Sequence, residues 1–118
     1  MAPKIPKQYA QIGFVVWTVV ILYLLLSPTG PKTDPFYLFE NEDKLVHFTL
    51  FFSWVILLYL GWETVSKSLV IVLIVLMAGG TEILQQFVPN RTADMWDFVA
   101  DTVGGMSALG MSFFLKRN

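Results

Sequence analysis

The chain has 118 residues, of which 55% are hydrophobic and 14% charged, with a formal net charge of −1. A soluble domain of this size buries roughly 60–70% of its unfolded surface and is about 25% charged, so it could not hide so many apolar side chains. The absence of cysteine excludes disulfides, thiolate metal sites and cysteine nucleophiles. Because no basic run exceeds Lys116-Arg117, we expect no nucleic-acid partner. The composition predicts one integral membrane domain over residues 1–118.

Four apolar segments follow along the chain, at about residues 9–26, 45–62, 68–87 and 95–115. Each is close to the ~20 residues with which a helix crosses ~30 Å of hydrocarbon. Helices are expected because lipid offers backbone polar groups no other partner. The first run has Lys4 and Lys7 before it but no A-x-A-like site after it, so we expect a retained span. The sequence therefore predicts an all-α, integral membrane four-helix bundle.

The connections and the basic residues suggest an orientation. Pro28, Pro31 and Pro35 prevent one continuous helix in the first connection, and its aromatic residues suit the membrane interface. The other two connections are short. With four spans both termini share one side, and Lys and Arg favour the cytoplasm. The terminal side holds Lys4, Lys7, Lys67, Lys116 and Arg117, whereas the other holds Lys32, Lys44 and Arg91. We therefore expect a bacterial cytoplasmic membrane protein with cytoplasmic termini and a Pro-rich, partly interfacial first outer loop.

Three clusters of polar residues stand where these hydrophobic helices begin and end, at the predicted outer face. A charge at the centre of a membrane helix costs roughly 2.5–3.5 kcal/mol on insertion scales, so such residues are candidates for a functional site. Within each cluster, spacings of three and four place side chains on a shared helix face. The clusters are Asp43, Lys44 and His47; Glu82, Gln85 and Gln86; and Arg91, Asp94, Asp97 and Asp101.

Small residues follow the acidic stripe along the fourth span. Small-xxx-small ridges let membrane helices approach closely, and this ridge lies within about 60° of the last two acids. The stripe is therefore expected to face other helices. Gly79-Gly80 indicates that the third helix is the close partner, which would bring Glu82 and Gln86 beside Asp97 or Asp101. The predicted packing residues are Ala100, Gly104, Gly105, Ala108 and Ser112.

Charge balance leaves several interpretations of these clusters open. Five acids stand with only two fixed cations, Lys44 and Arg91. Like charges so close in a low dielectric cannot all ionise, so one carboxyl holds a proton or an external cation completes the site. Alternatively the acids are paired internally with the two cations. His47 is either a hydrogen-bonded contact to Asp43 or Glu82, a general base or a metal ligand. With a single histidine, a zinc site is poorly supplied, and we predict neither metal nor cofactor.

Three motifs follow one another in order. They are Asp43-Lys44-x-x-His47-Phe48 at the start of a span, Glu82-x-x-Gln85 at the end of the next, and Arg91-x-x-Asp94-x-x-Asp97 before a Gly-rich span. This order resembles the VanZ-like family over roughly residues 43–110, more than half of the chain. Where that family commonly has Asn this chain has Asp101, and Gly104 and Gly105 stand where it keeps its glycine. The resemblance implies a small bacterial multi-span membrane protein of a family named for a teicoplanin-resistance protein.

Three functional hypotheses follow. In the first, the outer-face polar clusters bind a cell-envelope component such as a membrane lipid, or modulate glycopeptide access. In the second, the protein is a structural or accessory subunit of a larger envelope complex, with a protein partner or a second copy. In the third, it is a membrane enzyme acting on a lipid-linked substrate with His47 as base. The third ranks last because no obvious nucleophile lies in the clusters, and no catalytic residue is predicted.

Overall fold

The computed structural model describes residues 6–27, 42–89 and 95–115, without the side chains of residues 42, 43 and 113–115. Four helices form this part of the chain: α1 (Lys7–Leu26), α2 (Glu42–Gly61), α3 (Lys67–Gln85) and α4 (Met95–Leu115). The predicted all-α class is confirmed, and the predicted ends agree with these bounds within three residues. The Pro-rich first loop lies outside the described residues.

Three of the helices are long and apolar enough to cross a membrane. They are α1, the Lys44–Gly61 part of α2, and α3. The described residues of α4 do not meet the same criterion. At about 1.5 Å per residue α4 still has the length of a span. A fourth crossing therefore stays a prediction, and its two carboxylates must be accommodated by neighbouring helices.

The helices run antiparallel in sequence order, which two hydrogen bonds at opposite ends demonstrate. Gln11 Nε2 near the start of α1 donates to Gly61 O at the end of α2, at 2.9 Å. Gln85 Nε2 at the end of α3 donates to Leu25 O at the end of α1, also at 2.9 Å. The C-terminal ends of α1 and α3 and the N-terminal ends of α2 and α4 therefore lie at the same end of the bundle, here called the polar end.

A continuous apolar core fills the bundle, and α2 is its centre. α2 packs most extensively against α4 and next against α1, while α3 packs mainly against α4. Two tryptophans join α1 to α2: Trp17 Nε1 donates to Ser53 Oγ at 2.8 Å, and Trp54 Nε1 donates to Thr18 Oγ1 at 2.7 Å. These bonds satisfy indole N–H groups that would otherwise be unpaired in apolar surroundings. Buried core members are Ile21, Leu25, Phe51, Trp54, Val55, Val70, Ile74, Ala78, Ala108 and Leu109.

The closest approach of α4 is to α2, not to α3 as the glycine pattern predicted. A Cβ built on Gly104 would lie 2.9 Å from the Cα of Phe48 and would clash with its carbonyl oxygen. Towards α3, a Cβ on Gly79 would meet only the Phe98 ring, at 3.6 Å. The Phe98 ring thus occupies the space opposite Gly79 and holds α3 farther from α4. Gly105 does face α3, where its Cβ would contact the Ile74 side chain at 2.9 Å.

The other predicted packing residues of α4 differ in burial. Ala108 and Ser112 are buried, whereas Ala100 is partly buried. Ser112 Oγ donates to Leu109 O at 2.6 Å, so its hydroxyl is satisfied within its own helix. The small residues therefore lie on the side of α4 that faces the bundle.

Candidate functional site

Four ionisable residues meet between α2 and α4 at the polar end. Lys44 and His47 are one turn apart on α2, and Asp97 and Asp101 are one turn apart on α4. His47 Nδ1 lies 2.6 Å from Asp101 Oδ1, and Lys44 Nζ lies 2.8 Å from Asp97 Oδ1. His47 Nε2 is 3.7 Å from Asp97 Oδ2. We call this set, Lys44, His47, Asp97 and Asp101, the polar cluster.

Burial increases step by step through the polar cluster. The Lys44 side chain is 23% exposed and that of Asp97 is 9% exposed. His47 and Asp101 follow at 3% and 0%. Asp97 also stands in the first turn of α4, where the helix dipole favours a negative charge. The cluster therefore leads from the rim of the bundle to a carboxyl group with no access to solvent.

Each carboxylate of the polar cluster has one buried oxygen, Asp97 Oδ1 or Asp101 Oδ2, that forms no hydrogen bond of good geometry with the described residues. Asp97 forms the ion pair with Lys44 and lies near the imidazole. Asp101 uses Oδ1 for His47, but its buried Oδ2 has no hydrogen-bond partner among the described residues. A buried acceptor without a partner costs roughly 1–3 kcal/mol, and more when charged. Such an atom either carries a proton itself or accepts one from a group outside the described residues.

A glycine makes this geometry accessible. Gly104 follows Asp101 by three residues and therefore lies on the same face of α4. Its missing side chain lets α4 approach the backbone at Phe48, the residue next to His47. The close backbone contact sets the separation at which the imidazole reaches Asp101. The glycine is thus a positioning element for the pair, not a member of it.

The second predicted cluster divides between two environments. Gln85 is fully buried and bonds α1 through Leu25 O, whereas Gln86 is exposed beyond the end of α3. Gln86 follows the end of α3 at Gln85, and its expected position beside Asp97 or Asp101 stays a prediction. Glu82 is partly buried at the same end. The Leu25 carbonyl could not be identified from sequence because any residue supplies one.

The Gln85 bond gives a prediction with an adjacent control. Gln85→Leu removes the donor from Leu25 O and leaves a helix-end carbonyl unsatisfied, so we expect a loss of about 1 kcal/mol of unfolding free energy. Gln86→Leu, at an exposed neighbouring position, is expected to change stability by less than about 0.5 kcal/mol. Thermal unfolding of both variants in the same detergent provides the comparison. Equal effects of the two changes would contradict the assignment.

Three predicted site residues fall where the structure describes no side chain. Arg91 and Asp94 lie outside the described residues, and of Asp43 only the backbone, in the first turn of α2, is described. The ring of His47 contacts Asp101 and Asp97, and the expected contact with Asp43 or Glu82 stays a prediction. Within the described residues, no group of three His, Asp or Glu side chains has an arrangement that could hold a metal ion.

Comparison with known proteins places this arrangement in context. The family model described as VanZ/LLP1 matches residues 14–116, a range that includes the whole polar cluster. An uncharacterized protein of Schizosaccharomyces pombe is 30% identical over 109 residues, covering 88% of this chain and 62% of its own length. The chain thus spans less than two thirds of this curated relative, whose name states no activity. No solved structure matches.

Proposed function

The chain belongs to the VanZ/LLP1 family, and we propose that its polar cluster binds the headgroup of a cell-envelope lipid. The observation that supports this most strongly is the buried Oδ2 of Asp101, an acceptor without a described partner inside a charged cluster. A headgroup that carries N–H or O–H donors would satisfy it. Lys44, at the rim, is the member best placed to contact the phosphate of the same headgroup.

The main competing explanation is that the polar cluster only holds α2 and α4 together. Two observations speak against that role. Buried ion pairs contribute little net stability compared with apolar packing of similar volume. The contact between α2 and α4 already has such packing, because Phe51, Val55 and Ala108 are fully buried and Gly104 brings the backbones together. Ionisable residues at membrane depth are more often retained for a functional reason.

We further propose that the protein lies in the cytoplasmic membrane of a bacterium, with both termini cytoplasmic and the polar end outward. The distribution of Lys and Arg supports this orientation. The relative from a fungus favours a ligand that bacteria and fungi share, such as a phospholipid headgroup, over a component of the bacterial wall. Modulation of glycopeptide access would then be a secondary consequence of lipid binding.

Lipid retention tests the proposal. Wild type, Asp97→Asn, and the Asp97→Asn and His47→Ala double variant are purified from native membranes in mild detergent, and bound lipids and proteins are identified by mass spectrometry. Ser107→Ala, at an exposed position of α4, is the matched control. We expect one lipid class at near-stoichiometric amount in wild type and control, and a loss of at least fivefold in Asp97→Asn.

Two other outcomes would overturn lipid binding at the polar cluster. A stoichiometric protein partner retained by all the variants, without a specific lipid, would identify an accessory subunit of a larger complex. Equal lipid retention in wild type and Asp97→Asn would show that the polar cluster does not select the lipid. The helical circular dichroism of each variant separates these results from misfolding, and the single Asp97→Asn change preserves the volume of the side chain.

A further inference from the structure

The polar cluster has the geometry of a short proton path. Asp101, His47 and Asp97 lie in series, because the two ring nitrogens of the histidine face different carboxylates, at 2.6 and 3.7 Å. A histidine in this position can take a proton on one nitrogen while it releases one from the other. We propose that His47 transfers a proton between the fully buried Asp101 and Asp97, which is slightly more exposed and paired with Lys44 at the rim. This inference does not depend on lipid binding, since it concerns only groups of the chain and water.

The transfer can be written as a balanced sequence. The proton on Asp101 moves to His47 Nδ1 along the 2.6 Å contact, and the proton on Nε2 moves to Asp97 Oδ2. The imidazole has then changed tautomer, Asp101 has become a carboxylate, and Asp97 releases its proton to water at the rim. The second contact must shorten by about 1 Å to reach hydrogen-bond length, so the transfer requires a movement of the Asp97 or His47 side chain. The reverse sequence returns the proton to Asp101.

Graded burial gives the path its direction. Exposure falls from the rim at Lys44 to zero at Asp101. Beyond Asp101, the buried described residues of α4 on this face are Gly104, Gly105, Ala108, Leu109 and Ser112. None of these is ionisable, and Ser112 donates within its own helix. On this face of α4 the described residues therefore extend the path no farther than Asp101.

The charged surroundings of His47 are consistent with an exchangeable proton. On its own helix the nearest cation is Lys44, and from α4 it faces Asp97 and Asp101. At the same end, α3 contributes Glu82, while Tyr23 near the end of α1 is exposed. With neutral imidazole and both carboxylates ionised, the polar cluster has one excess negative charge, and one added proton, on Asp101 or on the imidazole, makes it neutral. A single proton thus sets the net charge of the contact between α2 and α4.

The chain offers a direct test because His47 is its only histidine. Protein labelled with ¹⁵N-histidine, purified without a histidine tag, is placed in phospholipid nanodiscs for NMR. The two ring-nitrogen shifts report the tautomer, and transfer of magnetisation from water reports proton exchange. We expect both tautomers in exchange in wild type, exchange at least tenfold slower in Asp97→Asn, and interconversion lost in Asp101→Asn. Ser107→Ala is expected to match wild type.

The same spectra can overturn the proposal. A single fixed tautomer in wild type, or an exchange rate unchanged by Asp97→Asn, would show that the contacts are purely structural. Folding of each variant is established from its helical circular dichroism. If Asp101→Asn does not fold, the Asp97→Asn comparison alone decides the result, because Asp97 is less deeply buried than Asp101 and its amide keeps the shape of the carboxylate.

Discussion

Replacing Gly104 by alanine is expected to lower the free energy of unfolding by about 3 kcal/mol, among the larger effects of any single methyl group in this chain. The added Cβ would overlap the carbonyl group of Phe48, and backbone atoms cannot rotate away as a side chain does. α4 would have to move outward, which also separates His47 from Asp101. Loss of stability and loss of the polar contact should therefore occur together.

Gly110 is the matched control for this experiment. It lies on the same helix, and a Cβ built there meets nothing within 4 Å among the described residues. Gly110→Ala is expected to be neutral or to stabilise α4 by about 0.5–1 kcal/mol, because alanine is the better helix former. Unfolding of both variants in mixed micelles by titration with a denaturing detergent gives the difference. Equal stability of the two variants would contradict the close contact between α2 and α4.

Replacing His47 alone by leucine is expected to cost about 3–5 kcal/mol, because it leaves the carboxylate of Asp101 buried without its only described partner. Asp101→Leu should cost less, since a neutral imidazole without its acceptor is cheaper to bury than a carboxylate. The double variant replaces both groups by apolar ones and is expected to regain a large part of the loss. This asymmetry distinguishes a coupled pair from two independent polar residues.

A double-mutant cycle measures that coupling. The four proteins are wild type, His47→Leu, Asp101→Leu and the double variant, each unfolded in the same micelles. Residues in contact commonly show interaction energies of about 0.5–3 kcal/mol, and this pair should lie at the upper end. Strictly additive effects would mean that the 2.6 Å contact does not contribute to stability. Leu84→Ala, at a half-exposed position of α3, serves as a control expected to be additive with either change.

The helices could be predicted from sequence because the length and hydrophobicity of a segment largely determine whether it forms a membrane helix. The fourth helix was predicted from about residue 95, and α4 begins at Met95 although its first two turns contain two carboxylates. The small residues of α4 likewise indicated a face turned toward other helices. The pattern could not identify the helix that packs closest to α4. Glycine pairs occur on both α3 and α4, but their positions do not show which neighbour each one faces. The Phe98 ring lies opposite Gly79 and keeps α3 from being the close partner of α4. Whether the two residues face each other depends on the rotation of α3 about its axis.

The candidate site was predictable as a set of residues but not as a set of pairs. Spacing along each helix placed His47 on one face of α2, and Asp97 with Asp101 on one face of α4. Which carboxylate contacts which ring nitrogen depends on the axial offset between α2 and α4. The close contact of Gly104 with the Phe48 backbone fixes that offset. The sequence did not show which of the two neighbouring glutamines is buried, because the end of α3 could not be located within a residue.

Thiol labelling tests most directly the proposed location of the polar end on the outer side of the membrane. The natural chain has no cysteine, so single substitutions supply unique labels. Gln86→Cys marks the polar end and Thr64→Cys marks the opposite end, and both positions are exposed. In intact cells, a membrane-impermeant maleimide should label Cys at position 86 and reach position 64 only after permeabilisation. The reverse pattern would contradict the orientation and place the polar cluster on the cytoplasmic side.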